Sequence, residues 1–392
     1  MLVARVVAIV VGVVVVAGVV LSALRTVVVP GLGFTRITRF VFAVTHRVIV
    51  RRVGSGGYGS RRNSYFAPVS LVSLPLIWML LVTLGFAAMF WGSDVGSVQA
   101  AVDVSGSSLF TLGFSKPVGS GRIWMTFVEA TFGLGLVALL ISYLPTIYAA
   151  YNSREKGIRM LRPLSGAPPS GVALLKNAQR FGSIDNVELW NRFADWMIDL
   201  EQSHSSFPAL CYFGEQLPGE AWVASVGAVL DGAALLLSAS ERQPDPRLKG
   251  PVNALAHGMP AVVRVSATVG LPVSRHTDRL ADLLSVAGQE PPPVSVRREE
   301  FEAAFDELAA AGVVGPFDRA LAWDRFRWIR SAYDDALRGL AGLTGSGPAP
   351  WTTDRPATVG RPHLFGQRPL RVTWGTPPPA PPAPPVRSGG SG

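Results

Sequence analysis

Three long apolar stretches alternate with basic segments in the first half of the chain. Residues 6–24 carry no charge, Phe66–Trp91 lies in an uncharged interval, and Ile123–Tyr151 has Glu129 as its single charge. A helix of about 20 apolar residues crosses a hydrocarbon core of about 30 Å. The pattern therefore predicts three transmembrane helices.

The first apolar stretch has an alternative interpretation as a secretory signal peptide, because Arg5 precedes it. A signal peptide has an apolar core of about 7–15 residues followed by a small-residue cleavage site. The stretch 6–24 is longer, and Arg25 ends it directly. These features favour a membrane anchor.

Basic residues are distributed unequally between the connecting segments. The segment 25–62 carries eight arginines, whereas 93–122 carries only Lys116 and Arg122. Cytoplasmic loops hold the excess of Lys and Arg in membrane proteins. We therefore expect 25–62 and everything after Tyr151 to be cytoplasmic, and the N-terminus and the loop 93–122 to face outward.

Two patterns lie between the first two spans. Thr35–Val53 places basic residues on one side of a helix and apolar residues on the adjacent side. This predicts an amphipathic helix on the anionic inner leaflet of the lipid bilayer, with an ordinary positive loop as the alternative.

The string Gly54–Gly59 matches dinucleotide-binding glycines, but that motif needs a preceding strand and a following helix. Arginine pairs flank it here, so we predict a hinge.

The loop 93–122 contains a short motif, Thr111-Leu112-Gly113-Phe114, followed by Ser115. A dehydrated cation needs oxygen ligands, which backbone carbonyls from symmetry-related loops can supply. Glycine reaches the required backbone conformations without strain from a Cβ atom. Ion binding of this kind is what the family resemblance described next implies for the motif, and an ordinary extracellular loop that contains it by chance is the alternative.

Together with its flanking spans, the motif makes about residues 65–151 resemble the pore-loop potassium-channel family. In that family an outer helix, a re-entrant pore helix, a Thr-Val-Gly-Tyr-Gly filter and an inner helix follow in this order. The resemblance implies a homotetramer that conducts a monovalent cation, potassium before others. It also implies an ion-selectivity filter formed by Thr111, Leu112, Gly113, Phe114 and Ser115.

The loop departs from the family pattern in two positions. Ser115 stands at the second glycine, and Lys116 stands where an acidic residue is usual. Both departures imply a weaker preference for potassium. The resemblance further implies that Phe114 wedges the filter against the pore helix, while glycine and serine at 105–108 predict that this helix is weak.

Four residues of the third span are candidates for pore or gating roles. Gly133 and Gly135 could let the helix bend or could permit close packing, and Pro145 is expected to kink it. Glu129 is costly to bury in a membrane and therefore needs a partner or water. Glu129 could change the electrostatic potential that a cation experiences in the filter, or it could form an interhelical hydrogen bond.

After Tyr151 the pattern becomes amphipathic helices without strand-like alternation, which predicts an all-α domain. Helices are expected at 184–203, at 296–311 with Ser295 as cap, and at 317–340 after Pro316. Residues 221–240 are apolar, but Asp231 lies at their centre without flanking basic residues. We predict a buried core helix there rather than a fourth span.

No catalytic, metal or cofactor site emerges from the composition or motifs. The net charge of +9 arises from arginines beside apolar spans, which indicates membrane topology rather than nucleic-acid binding. Cys211 is the single cysteine. His204 is expected to face a helix dipole, and Asp334-Asp335 a solvated helix face rather than a metal. We therefore predict that the chain is not an enzyme.

These observations predict an all-α membrane protein with three spans and a re-entrant loop. Its expected parts are an anchor with an interfacial helix (1–64), a pore-loop module (65–151), a helical cytoplasmic domain (152–345) and a disordered proline-rich tail (346–392). The expected function is cation conduction across the cell membrane, with the domain gating or assembling the pore. The alternative is a non-conducting scaffold or sensor with a degenerate filter.

Overall fold

A computed structural model describes residues 1–27, 66–213, 219–240, 246–271, 290–344 and 347–355, with a few single positions between them. These residues form helices, short 3-10 turns and loops, and no strand occurs among them. The predicted all-α class is confirmed. The helices are α1 (Leu2–Val27), α2 (Phe66–Gly92), α3 (Val98–Leu109), α4 (Ser120–Ser165), α5 (Gly171–Arg180), α6 (Val187–Ser206), α7 (Trp222–Ser238), α8 (Lys249–Thr268), α9 (Arg298–Ala310), α10 (Arg319–Ser331) and α11 (Asp334–Thr344).

Helices α1, α2 and α4 are long and apolar enough to cross a membrane. They contain the three predicted spans, and α2 matches its predicted bounds almost residue for residue. Small residues allow α1 and α2 to approach closely. A Cβ atom on Gly12 would lie 2.4 Å from the carbonyl oxygen of Gly85, so glycine is needed where these backbones cross.

Two contacts place three helix ends together at one side of the spans. Arg5 of α1 forms an ion pair with Asp94, just after α2, at 2.7 Å. The Arg122 Nε, in the first turn of α4, donates to the Ser93 carbonyl at 2.9 Å. The start of α1, the end of α2 and the start of α4 therefore share one side, as the predicted topology requires.

Helix α4 runs without interruption through its apolar stretch, past Pro145, and into the C-terminal half. At about 1.5 Å per residue it is about 69 Å long, which exceeds the bilayer core. Ile158, Leu161 and Leu164 lie in the main hydrophobic core of the C-terminal unit, by which we mean the described residues from 152 to 355. One helix therefore belongs to both halves of the molecule.

Helix α7 lies at the centre of the C-terminal unit, and nearly all of its residues are buried. Its Asp231 pairs with the buried Arg330 of α10 and accepts a hydrogen bond from the Tyr333 hydroxyl at 2.7 Å. Arg330 also contacts Asp334 at 2.8 Å. The prediction of a buried core helix is confirmed, because a compensated charge explains the aspartate in its middle.

Three details of the C-terminal half differ from the predictions. The single helix predicted over 317–340 is two helices, because the chain turns at Ala332 and Tyr333 where the tyrosine reaches Asp231. Ser295 does not cap a helix, since its hydroxyl donates to Asp334 at 2.6 Å. The boundary at 345 was too early: Thr352 is buried, and Arg330 bonds the Trp351 carbonyl at 2.5 Å.

Some sequence predictions fall outside the described residues. They are the glycine string 54–59, the tail from 356 onward, and most of the interfacial helix 35–53. Within that last range the structure describes five single positions as helical: Ile37, Phe40, Val41, Val44 and Thr45.

Candidate functional site: the loop between the second and third spans

The loop between α2 and α4 begins with a short helix, α3, that packs against both spans. The Ser97 hydroxyl caps its first turn by accepting the Ala100 N–H at 3.1 Å. The glycine and serines at 105–108 do not prevent the helix, although they predicted a weak one. Ser105, Ser107 and Ser108 are buried, so tertiary contacts compensate for their low helix propensity.

Ser107 anchors the chain that follows α3. Its carbonyl accepts the N–H of Leu112 at 2.9 Å and, at a longer 3.4 Å, the N–H of Gly113. Its hydroxyl accepts the N–H of Ser115 at 3.0 Å. One serine at the end of α3 therefore holds three N–H groups of the 111–115 segment.

This anchoring fixes the direction of the opposite peptide groups. In a planar trans peptide the C=O points away from the N–H of the next residue. Because the N–H groups of Leu112, Gly113 and Ser115 face Ser107, the carbonyls of Thr111, Leu112 and Phe114 point away from it. Three of the five residues in the segment thus present their carbonyl oxygens away from Ser107.

The segment also contains two residues with left-handed backbone conformations. Gly113 has a φ of +72° and Thr111 a φ of +55°. Glycine adopts this region freely, but a β-branched residue does so at a cost of about 1–3 kcal/mol. Such strain at Thr111 persists only because the hydrogen bonds around it determine the conformation.

The side chains of the segment do not behave as the resemblance implied. The Phe114 ring is 67% exposed and Leu112 is 64% exposed. Phe114 therefore does not wedge the segment against α3 of its own chain, and Ser107 holds it instead. Lys116, next to the segment, is exposed as well.

Glu129 of α4 contacts α3. Its side chain is fully buried and accepts a short hydrogen bond from the Ser105 hydroxyl. That hydroxyl also lies 2.9 Å from the Thr83 carbonyl of α2. Thr83, Ser105 and Glu129 thus connect α2, α3 and α4 through hydrogen bonds. Of the two alternatives for Glu129, the structure contains the interhelical hydrogen bond.

The two glycines of α4 have different surroundings. A Cβ atom on Gly133 would lie 2.1 Å from the Leu109 carbonyl oxygen, at the end of α3, whereas one on Gly135 would meet nothing within 4 Å. Gly133 therefore permits close packing. Pro145 is exposed within the continuous helix.

Sequence reasoning missed the contacts that Ser105 and Ser107 make. Both were counted only for their low helix propensity. The available signal was their position, because serines on a short helix between two spans need hydrogen-bond partners in an apolar environment. Their actual partners are distant in sequence, and only the fold identifies them.

The candidates outside the membrane-spanning helices make contacts within the C-terminal unit. His204 is buried, packs against Trp222 with ring centroids 4.9 Å apart at a tilt of 43°, and bonds the Leu200 carbonyl at 2.9 Å through Nδ1. Burial, followed by the positive charge of Arg154, lowers the pKa of His204 to about 3. His204 lies in the last turn of α6, as predicted, but at this pKa the imidazole is neutral at pH 7 and brings no charge to the end of the helix.

The expectation of a solvated face at Asp334-Asp335 is wrong for its first residue. Asp334 is buried between Arg330 and Ser295, while Asp335 is exposed. No group of three potential metal ligands occurs among the residues that the structure describes.

The C-terminal unit contacts α4 both in the last part of its apolar stretch and just beyond it. Arg154 is buried, pairs with Glu155 at 2.9 Å, and donates to the Leu210 carbonyl at 3.1 Å. Phe207 packs edge-on against Tyr143 with ring centroids 5.8 Å apart. Gly157 lies against the indole of Trp196, where a Cβ atom would be 2.1 Å from the ring nitrogen.

Neither the family models, nor the curated proteins, nor the solved structures provide a match to the chain. The class that the fold defines is therefore an all-helical protein with three helices capable of spanning a membrane.

Proposed function

We propose that the chain forms a potassium-channel-like pore for monovalent cations. The observation that carries this proposal is the anchoring of the 111–115 segment by Ser107. It turns the carbonyls of Thr111, Leu112 and Phe114 toward one side, and aligned carbonyls are the ligands that replace a cation's hydration shell. One loop cannot surround an ion, so the proposal requires four copies around a common axis.

The proposed assembly is a multi-pass protein of the cell membrane with its C-terminal unit in the cytoplasm. The continuous α4 supports a role for that unit in gating or assembly, because the same helix borders α3 and enters the core of the unit. Ser115 in place of glycine, followed by the exposed Lys116, supports a modest preference for potassium over sodium.

The test is cation flux in liposomes that contain the purified full chain. Gly113→Ala is expected to abolish flux, because a Cβ atom at a φ of +72° strains the backbone that presents the carbonyls. Ser115→Gly is expected to raise the preference for potassium over sodium. Val118→Ala, an exposed position outside the segment, is the control and should leave both properties unchanged.

Flux that survives Gly113→Ala would mean that ions do not pass along this segment. A second candidate function is a non-conducting scaffold, which the exposed cationic Lys116 beside the segment favours. Silence of all four proteins, together with a monomeric mass in mild detergent, would establish the scaffold instead of the pore.

A further inference from the structure

A groove of about 560 Å³ lies between α1, α2 and α4. Helix α1 packs along α2 and has few contacts with α4, so a gap remains between the two helices. The walls of the gap are apolar, and they include Val13, Ala17, Leu21, Met89, Trp124 and Val128. The groove therefore offers a hydrocarbon-like surface within the membrane-spanning part of the molecule.

The groove begins at the end of α4 that carries Arg122 and continues more deeply along α1. Its lining runs from Val13 to Leu24 on α1 and from Gly121 to Phe132 on α4. On α4 the lining extends about 16 Å from the Arg122 end. On α1 it lies about 12–28 Å beyond Arg5, which is at the same end, so the groove continues past the middle of a hydrocarbon core of about 30 Å. The groove thus offers an apolar surface that starts beside Arg122 and along which an acyl chain can extend into the membrane.

A positive charge lies at one end of this groove. Arg122 follows Gly121, the first lining residue of α4. Its guanidinium donates to the carbonyls of Ser93 and Val118, and no carboxylate among the described residues pairs with it. Arg5, in contrast, is paired with Asp94. Arg122 therefore retains its net charge and a spare N–H on each terminal nitrogen for an anionic oxygen.

We propose that this groove binds one acyl chain of a phospholipid whose phosphate contacts Arg122. The lipid belongs to the leaflet on the side of Arg5 and Asp94. Trp124, which is 68% exposed, lies between the headgroup region and the chain, as interfacial aromatic residues do. This site depends only on the membrane-spanning helices and is independent of ion conduction.

The experiment measures phosphatidylglycerol binding to the full chain in mild detergent by native mass spectrometry. Ala17→Trp should remove the bound lipid, because the indole fills the groove. Ala138→Trp places the same side chain at an exposed position of α4 outside the groove, and it should bind lipid like the unchanged protein. Arg122→Gln should weaken binding about tenfold, as loss of a charge-assisted phosphate contact does.

Each other outcome contradicts the site. Unchanged binding in Ala17→Trp would exclude the groove, and equal loss in Ala138→Trp would show that the effect is not local. Unchanged binding in Arg122→Gln would exclude the phosphate contact. If Ala17→Trp alters the oligomeric mass but not the bound lipid, the groove belongs to a contact between copies of the chain.

Discussion

The surroundings of Gly133 and Gly135 differ although both lie on one helix, two residues apart. We expect Gly133→Ala to destabilise the protein by about 1–3 kcal/mol, because the added Cβ collides with the Leu109 carbonyl oxygen and must displace α3. Gly135→Ala points into open space and should leave stability unchanged or raise it through helix propensity. Melting temperatures of the two purified variants in detergent provide the measurement. Equal melting temperatures would mean that α3 and α4 do not pack at this distance.

The neutral state of His204 predicts a pH dependence of stability. Its ordinary pKa is 6.5, and burial lowers the value to about 3 in the folded chain. Below pH 6.5 the unfolded chain therefore binds a proton that the folded chain does not. Protonation of His204 therefore does not lower the free energy of unfolding above pH 6.5. As the pH falls from 6.5 toward 3, the free energy of unfolding decreases by about 1.4 kcal/mol per pH unit.

Melting curves between pH 7.5 and 4.5 would test this assignment. His204→Phe, which keeps an aromatic ring against Trp222, should show a smaller decrease in melting temperature than the unchanged protein. His257→Phe is the control because His257 is exposed, and it should retain the full decrease. Parallel curves for all three proteins would show that His204 is not the residue responsible.

Among the elements, α3 depends most on contacts that the sequence does not reveal. Ser107→Ala removes the acceptor for the Ser115 N–H, whereas Ser108→Ala removes a bond within the helix to the Val104 carbonyl. If the proposed pore conducts, Ser107→Ala should lower its preference for potassium over sodium, and Ser108→Ala should not. Reversal potentials in bilayers report this preference. An equal change in both variants would indicate a general weakening of α3 rather than a loss of anchoring.

The apolar helices could be predicted well because a chain in the hydrocarbon core of a bilayer must satisfy its own backbone hydrogen bonds, and a helix does so. Phe66–Trp91 became α2 with nearly the same bounds, and Asp231 correctly argued against a fourth span. The errors fall where a polar group finds a distant partner. Ser295 contacts Asp334, and Tyr333 contacts Asp231 across 102 positions of sequence. Neither pairing follows from local periodicity, which is why the cap and the helix break were missed.

At the scale of the whole molecule, the orientation of the spans remains to be measured. The arginines of 25–62 predict that the start of α4 faces outward and that its other end faces inward. The test introduces one cysteine at each end of the membrane-spanning part of α4. Val118, just before α4, is 83% exposed, and Asn152, just after the apolar stretch, is also exposed, so Val118→Cys and Asn152→Cys are the two variants. An impermeant thiol reagent applied to intact cells should label only the first. The native Cys211 is buried and serves as the background control.

The continuity of α4 sets the rotational phase between the two halves of the molecule. Each residue of a helix turns the chain by about 100° and advances it by about 1.5 Å. One alanine inserted after Ala149 would therefore swing Arg154 and Gly157 away from Leu210 and Trp196. Seven inserted residues bring the azimuth back to within about 20°, but they separate the halves by about 10 Å. The chain has no loop at this junction to absorb such a change, so the sequence length of α4 itself encodes how the C-terminal unit faces the spans.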